Sequence, residues 1–535
     1  CPNQPHGQTL SDLPLSHPIY DLLDRLETRG VFGETLPGIR PYSRSFVTHL
    51  VEHALRFPLL DTPERARLER YQTENSSQPH ETAIRSLFQG HFYSFADSIL
   101  RVRANPIFRQ SVYLQHDETT EESVVSQTYV GVSVDGTFYD HFGFRVQHFE
   151  AREWSDLARS ARSDVWARPI ETVQLKGKTA DFRETRYQIR INLPWFGLDF
   201  GKESFDWGPG RETNVFLQGA APSYLYGRLS VSHRALTFEH LFGGLRTAPD
   251  ATDLGTTSTS NGHLRTLPAP KRFVTHRLEL ELSDRLRLGM HESVVYGDRG
   301  FEPAYALPVS ILVGAQTYAG ETDNLAFGFD FAYRVGRAAK LYGAVFFDDL
   351  SKFDPGNFSN QVGIQAGGHW VDPMGVRGVD IRAEYARMEP YTYAHNFDIN
   401  AYTHFDAVLG HPLGPNADRV FLNLQWWLSR HVRLSSAIWH TREGDNYTVN
   451  GELVNVGGDA SQGRRPTDPA TRSFLAGDRT TTTDLRVGAI IAPSAALRFG
   501  LSYRYRRERL DLALEGRQPP TSSRLFSFST ELNAF

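Results

Sequence analysis

Two periods divide the chain. Through the first hundred residues, apolar side chains recur every three or four positions. In HPIYDLLDRLETRG, Ile19, Leu22, Leu23 and Leu26 fall on one helical face, and Gly30 stands where a stop is expected. SRSFVTHLVEHALRF repeats the pattern with Phe46, Val47, Leu50, Val51 and Ala54. DTPERARLERYQTE opens with Thr62 as the expected cap and Pro63 as the first helical residue. ETAIRSLFQGHFYSFADSIL is apolar and aromatic without a clear period, and could turn into strand partway. The spacing predicts a small helical bundle over residues 1–104 and a different architecture over 105–535.

Beyond about residue 105 the period is two. In THRLELELSDRLRLGM, Leu278, Leu280, Leu282, Leu286, Leu288 and Met290 share one parity around a short turn at Ser283–Arg285. Leu325, Phe327, Phe329, Phe331, Tyr333 and Val335 do the same. They turn at Gly336–Lys340 into Leu341, Gly343, Val345 and Phe347. Val420, Leu422, Leu424, Trp426 and Leu428 turn near Arg430 into Val432, Leu434 and Ile438. Leu485, Val487, Ala489 and Ile491 turn at Pro493–Ser494 into Leu497, Phe499, Leu501, Tyr503 and Tyr505. Segments 127–149, 182–200 and 224–238 carry the alternation less cleanly.

Short turns join the strands within each pair. Long connections at 349–361, 390–418, 441–482 and 508–524 separate the pairs. Sorting turns into a short end and a long end is the habit of an outer-membrane β-barrel, apolar outside and polar within. Closure also removes the edge that lipid cannot hydrogen-bond. The fold class is therefore an all-β transmembrane barrel preceded by an α-helical bundle. At roughly 24 residues per strand and connection, the chain holds some 16 to 20 strands. The terminal Phe535 suits a chain handled by barrel-insertion machinery, although it lies off the parity of Phe526 and Phe528.

Composition narrows the partners. The formal charge is −5, so no global field steers the chain to nucleic acid. No apolar run reaches the ~18 residues of a transmembrane helix. Among 57 basic residues arginine dominates, which supplies forked donors for carboxylate or phosphate. The one cysteine is Cys1, expected to be the acylated first residue of a mature bacterial lipoprotein, tethered on the periplasmic side. HLVEH at 49–53 fits the H-x-x-E-H zinc-protease signature. It lies on a short helix ahead of a train of strands, where its polar residues are read as a solvated face. Asp348–Asp349 and the DNYTVNGE run lack the order of a calcium loop. No metal, cofactor or catalytic residue is expected.

Three segments together resemble the Wzi capsule-assembly family. LLDRLETRGVFGETLPGIRPYSR and DTPERARLERYQTE resemble its N-terminal helices. FGKESFDWGPGRETNVFLQGAAPSY resembles its tryptophan–glycine–proline–glycine block, carried by Trp207, Gly208, Pro209 and Gly210. The resemblance implies a barrel of about 18 strands, with a helical bundle at its periplasmic end and a non-catalytic role in binding or organising surface polysaccharide. Cys1 departs from the family pattern and puts a shared partner in doubt.

Candidate contacts follow. The WGPG block reads first as a tight turn anchored by Trp207. Arg211 and Glu212 just after it could meet a sugar acid. Tyr391, Tyr393 and Tyr402, in an aromatic loop, could stack on sugar rings, or could instead fold that loop onto the rim. Trp426, of lipid-facing parity, and Trp427 read as girdle or packing residues. The expected function is an outer-membrane barrel lipoprotein that binds surface polysaccharide. Its expected partners are outer-membrane lipid, the polysaccharide and, in the scaffold reading, another envelope protein. A porin or channel, and a scaffold for an envelope component, are the alternatives.

Overall fold

The computed structural model describes residues 10–75, 91–118, 122–139, 141–156, 173–193, 195–247, 255–258, 264–267, 269–350 and 357–533. Cys1, Phe535 and the segment 81–90 lie outside them. Eighteen antiparallel strands close into a barrel. In chain order they are β1 Leu100–Asp117, β2 Ser123–Phe138, β3 Phe142–Ser155, β4 Thr179–Asn192, β5 Phe196–Glu203 and β6 Tyr224–His233. There follow β7 Leu236–Leu245, β8 Lys271–Ser283, β9 Leu286–Gly297, β10 Asn324–Val335, β11 Ala339–Leu350 and β12 Asn360–Val371. The last six are β13 Val379–Met388, β14 Ala417–Trp427, β15 Val432–Asp445, β16 Asp478–Ile491, β17 Leu497–Leu512 and β18 Thr521–Leu532. β18 pairs with β1, Phe526 opposite Leu114 and Phe528 opposite Val112, which closes the ring.

The alternation read from the sequence is the wall. Phe329, Phe331, Leu341, Val420, Leu424, Val487 and Leu501 point outward and are exposed. Intervening residues such as Asp330, Glu384, Asp484 and Arg504 point inward and are buried. No helix among the described residues is long and apolar enough to cross a membrane. The short turns lie at one end and the long connections at the other. The first strand starts at Leu100, a few residues ahead of the expected boundary.

Helices α1 (Ile19–Thr28), α2 (Arg44–Leu55) and α3 (Thr62–Asn75) pack together at the short-turn end. Leu22, Leu23, Leu26, Val47, Leu50, Val51, Ala54 and Leu68 form their shared core. Thr62 does not cap α3: it is already helical, and Asp61 caps it instead. Asp61 Oδ1 accepts from the Glu64 amide at 2.7 Å while Glu64 Oε2 accepts from the Asp61 amide at 3.1 Å, a reciprocal capping box. Ser43 caps α2 by accepting from the Phe46 amide.

The bundle is seated by buried ion pairs. Arg25, with no exposed side chain, reaches Glu64 at 2.8 Å, Asp372 at 2.6 Å and Asp380 at 2.7 Å. Lys340 of β11 meets Asp24 at 2.5 Å and Glu27 at 2.7 Å, and Arg382 of β13 also pairs with Asp24. On the other flank Asp12 holds Arg190 of β4 at 2.8 Å and Arg228 of β6 at 2.7 Å. Burial alone would raise the Asp24 carboxyl; the Lys340 ammonium and the Arg382 guanidinium outweigh it and hold that carboxyl well below the usual range.

HLVEH sits on α2. Val47, Leu50, Val51 and Ala54 face the helical core, while His49 and Glu52 are half-buried and His53 is exposed beside Phe32.

Candidate functional site inside the barrel

The connection between β5 and β6 leaves the long-loop end and dives into the lumen. Its Asp206–Trp207 pair forms a two-stranded ladder with Ile39–Arg40, a segment that enters from the opposite end. The Gly208 amide donates to the Gly38 carbonyl at 2.8 Å. Gly208 adopts φ +137°, and a Cβ there would lie 2.4 Å from Asn214 Oδ1, so the position requires glycine. Asn214 ties the turn together, accepting from the Gly210 amide at 2.8 Å and donating to Asp206 at 2.7 Å. Trp207 is fully buried against Phe205 and His291.

A second long connection, between β13 and β14, folds in above this turn. Tyr391, Tyr393 and Tyr402 are buried there, at 3%, 0% and 1% exposure. Tyr393 Oη donates to the Val215 carbonyl at 2.8 Å and Tyr402 Oη to the Phe216 carbonyl at 3.1 Å. The two rings stack on each other at 5.7 Å and pack on Phe346. Tyr391 donates to the Asn455 carbonyl at 3.1 Å. The three rings expected to stack on sugar are buried in protein: the phenols of Tyr393 and Tyr402 hold the WGPG loop inside the barrel, and that of Tyr391 holds the loop carrying Asn455.

Arg211 and Glu212 leave the turn in different directions. Both of their amides donate to Glu384 Oε1 of β13 at 3.2 Å. The Arg211 guanidinium turns toward the helical bundle, reaching Asp21 at 3.2 Å and lying over the Tyr20 ring. Glu212 turns toward open lumen, where its Oε1 accepts from the Trp439 indole of β15 at 2.9 Å. Arg486 of β16 lies over the same indole at 5.3 Å. Enclosure within the barrel, together with the nearby Glu384 carboxylate, raises the Glu212 carboxyl above its usual range despite the indole bond.

The lumen is thus divided. Against β5–β14 it is packed by Ile39, Trp207, Phe216, Leu217, Tyr393 and Tyr402. Against β15–β17 the inward side chains Trp439, Arg486, Ser502 and Arg506 remain accessible. Glu212 stands at that boundary with Trp439 and Arg486. An aromatic face, a carboxylate and a guanidinium in one place suit a polyhydroxylated ligand, which uses ring stacking and charge-assisted hydrogen bonds together.

Residues 113–516 match the family described as Capsule assembly protein Wzi. The chain belongs to that family. Among solved structures it is similar to Wzi of Escherichia coli, described as an outer-membrane, carbohydrate-binding β-barrel involved in group 1 capsule assembly. Identity is 14%, coverage is 97% of this chain and 99% of that one, and the TM-score is 0.56. It is also similar to OccK2 (OpdF) of Pseudomonas aeruginosa, at 11% identity, 80% and 98% coverage and TM-score 0.42. A BenF-like porin of Pseudomonas fluorescens aligns at 9% identity, 81% and 99% coverage and TM-score 0.42. No curated protein matches.

Membership in the Wzi family accounts for the barrel and places it in the outer membrane. The match begins at residue 113, so α1–α3 precede it, and their seating rests on the ion pairs described above. Trp439 and Arg486 escaped the sequence reading. Both occupy inward parity on strands read only for their apolar face, and the signal for them was the large side chain at an inward position.

Proposed function

We propose that the chain binds or organises surface polysaccharide at the outer membrane without catalysing its making or breaking, and that Cys1 carries a lipid anchor on the periplasmic side. Family membership supports the capsule role, and the carbohydrate binding of the Escherichia coli Wzi extends to this chain as part of the proposal. The observation that carries the reading is the Glu212–Trp439–Arg486 cluster, accessible beside a lumen packed elsewhere with protein. The packed half weighs against a general porin, whose lumen is an aqueous channel.

A deletion strain should release its surface polysaccharide into the medium, and the wild-type gene should restore attachment. Trp439→Ala should fail to restore it, while purified Trp439→Ala remains heat-modifiable in gels. Normal attachment in the deletion strain would overturn the reading. Metabolic labelling with a radioactive fatty acid, lost in Cys1→Ser, tests the anchor separately.

A further inference from the structure

The geometry points to a binding site for the phosphorylated head group of an outer-leaflet glycolipid on the outer wall of β15–β17. Along these strands the outward positions change character abruptly. Toward the short-turn end they are apolar: Ile438 on β15, Leu485, Val487 and Ile491 on β16, and Leu501, Tyr503 and Tyr505 on β17. One step toward the long-loop end the outward set becomes His440, Thr483 and Arg507, and the next is Arg442, Thr481 and Arg509. Arg479 follows on β16. These residues line one groove of about 450 Å3 on the wall.

The groove stays cationic after its own ion pairs, and the Glu508 carboxylate that also lines it, are counted. Arg442 meets Asp418 at 2.5 Å, and Arg509 stands 3.7 Å from Asp511, which also takes Arg517 at 3.1 Å. Arg479 and Arg507 are exposed and form no ion pair among the described residues. The buried Nε of Arg509 lacks a hydrogen-bond partner. Guanidinium forks bind phosphate oxygens bidentately.

Position selects the ligand. The groove is continuous with the lipid-facing apolar band and lies outside the barrel, on the opposite face of the wall from the lumen-facing Trp439. A molecule filling it has acyl chains against Leu485 and Leu501 and phosphate against Arg479, Arg507 and Arg509. Basic clusters immediately beyond a membrane-spanning apolar surface recognise anionic head groups in this way.

The test uses the full chain in detergent and native mass spectrometry with three probes: diphosphoryl lipid A, its enzymatically dephosphorylated form, and inorganic pyrophosphate. Diphosphoryl lipid A should bind at one site. Its affinity should fall about ten-fold or more in the Arg479→Gln/Arg507→Gln double variant, whose two arginines hold no ion pair. Arg152→Gln, an exposed outward arginine on β3, should leave it unchanged. Equal binding of the dephosphorylated lipid, unaltered affinity in the double variant, or an equal loss in Arg152→Gln would each overturn the proposal. Pyrophosphate binding as tightly as the lipid would also overturn it, by reducing the groove to an anion site. Heat-modifiability in gels verifies that each variant barrel is folded.

Discussion

At the scale of single residues, side chains that suggested a ligand divide into supports and a smaller exposed set. Tyr393 and Tyr402 spend their phenols on the backbone of the WGPG loop. Tyr393→Phe should leave the Val215 carbonyl without that donor and cost about 1–3 kcal/mol of loop stability. Hydrogen exchange over 205–223 should rise accordingly, while polysaccharide affinity should follow only to the extent that the loop loosens. An affinity lost with unchanged exchange would instead mean direct sugar contact. The WGPG block was legible as a tight turn because Gly208 and Pro209 punctuate the chain in any context. The burial of Tyr393 was not legible, because an aromatic loop reads alike whether its rings meet sugar, lipid or protein. Only the fold brings Val215 to it, across a sequence separation of 178 residues.

At the scale of elements, the helices depend on charge for their seating more than on apolar contact with the wall. Arg25 is the hub, and Arg25→Ala takes the shared guanidinium from the buried Glu64 and Asp380 and from the half-buried Asp372, leaving Glu64 only Arg29. The expected cost is about 3–5 kcal/mol, visible as protease cleavage within 19–55 while the barrel stays heat-modifiable. The pH dependence has a fixed sign. Glu64 is buried, which would raise it, but Arg29 and Arg25 hold it below its ordinary 4.5, as Lys340 and Arg382 hold Asp24 below 3.8. Carboxyls depressed on folding stabilise the seated helices above the ordinary carboxylate range. That contribution is lost as pH falls through the depressed values. Exchange of α1 amides should therefore accelerate in acid before the strands yield; simultaneous release would show that the ion pairs contribute little. Alternation over nine or more positions made the strands readable, and the amphipathic spacing of Leu22, Leu23 and Leu26 made α1 readable. The cap of α3 was misplaced by one residue because Asp61 and Thr62 are both good caps. The reciprocal bond with Glu64 decides between them.

At the scale of the molecule, the sequence carried the closed barrel, its two unlike ends and its approximate strand number. It did not carry the contents of the lumen, which arise from contacts between remote segments. The packed half predicts low single-channel conductance for the intact chain in planar bilayers, rising in Arg25→Ala as the helices detach. A large steady conductance in the intact chain would favour a channel. The hub of ion pairs also sets an order of events. Arg25 is separated from its partners Asp372 and Asp380 by 347 and 355 residues, and Asp21 from Arg433 by 412. The helix carrying Asp21 and Arg25 thus completes its seating only once β13, the turn before it, and β15 are in place. Locking of α1 therefore follows the placing of strands that lie far downstream of it.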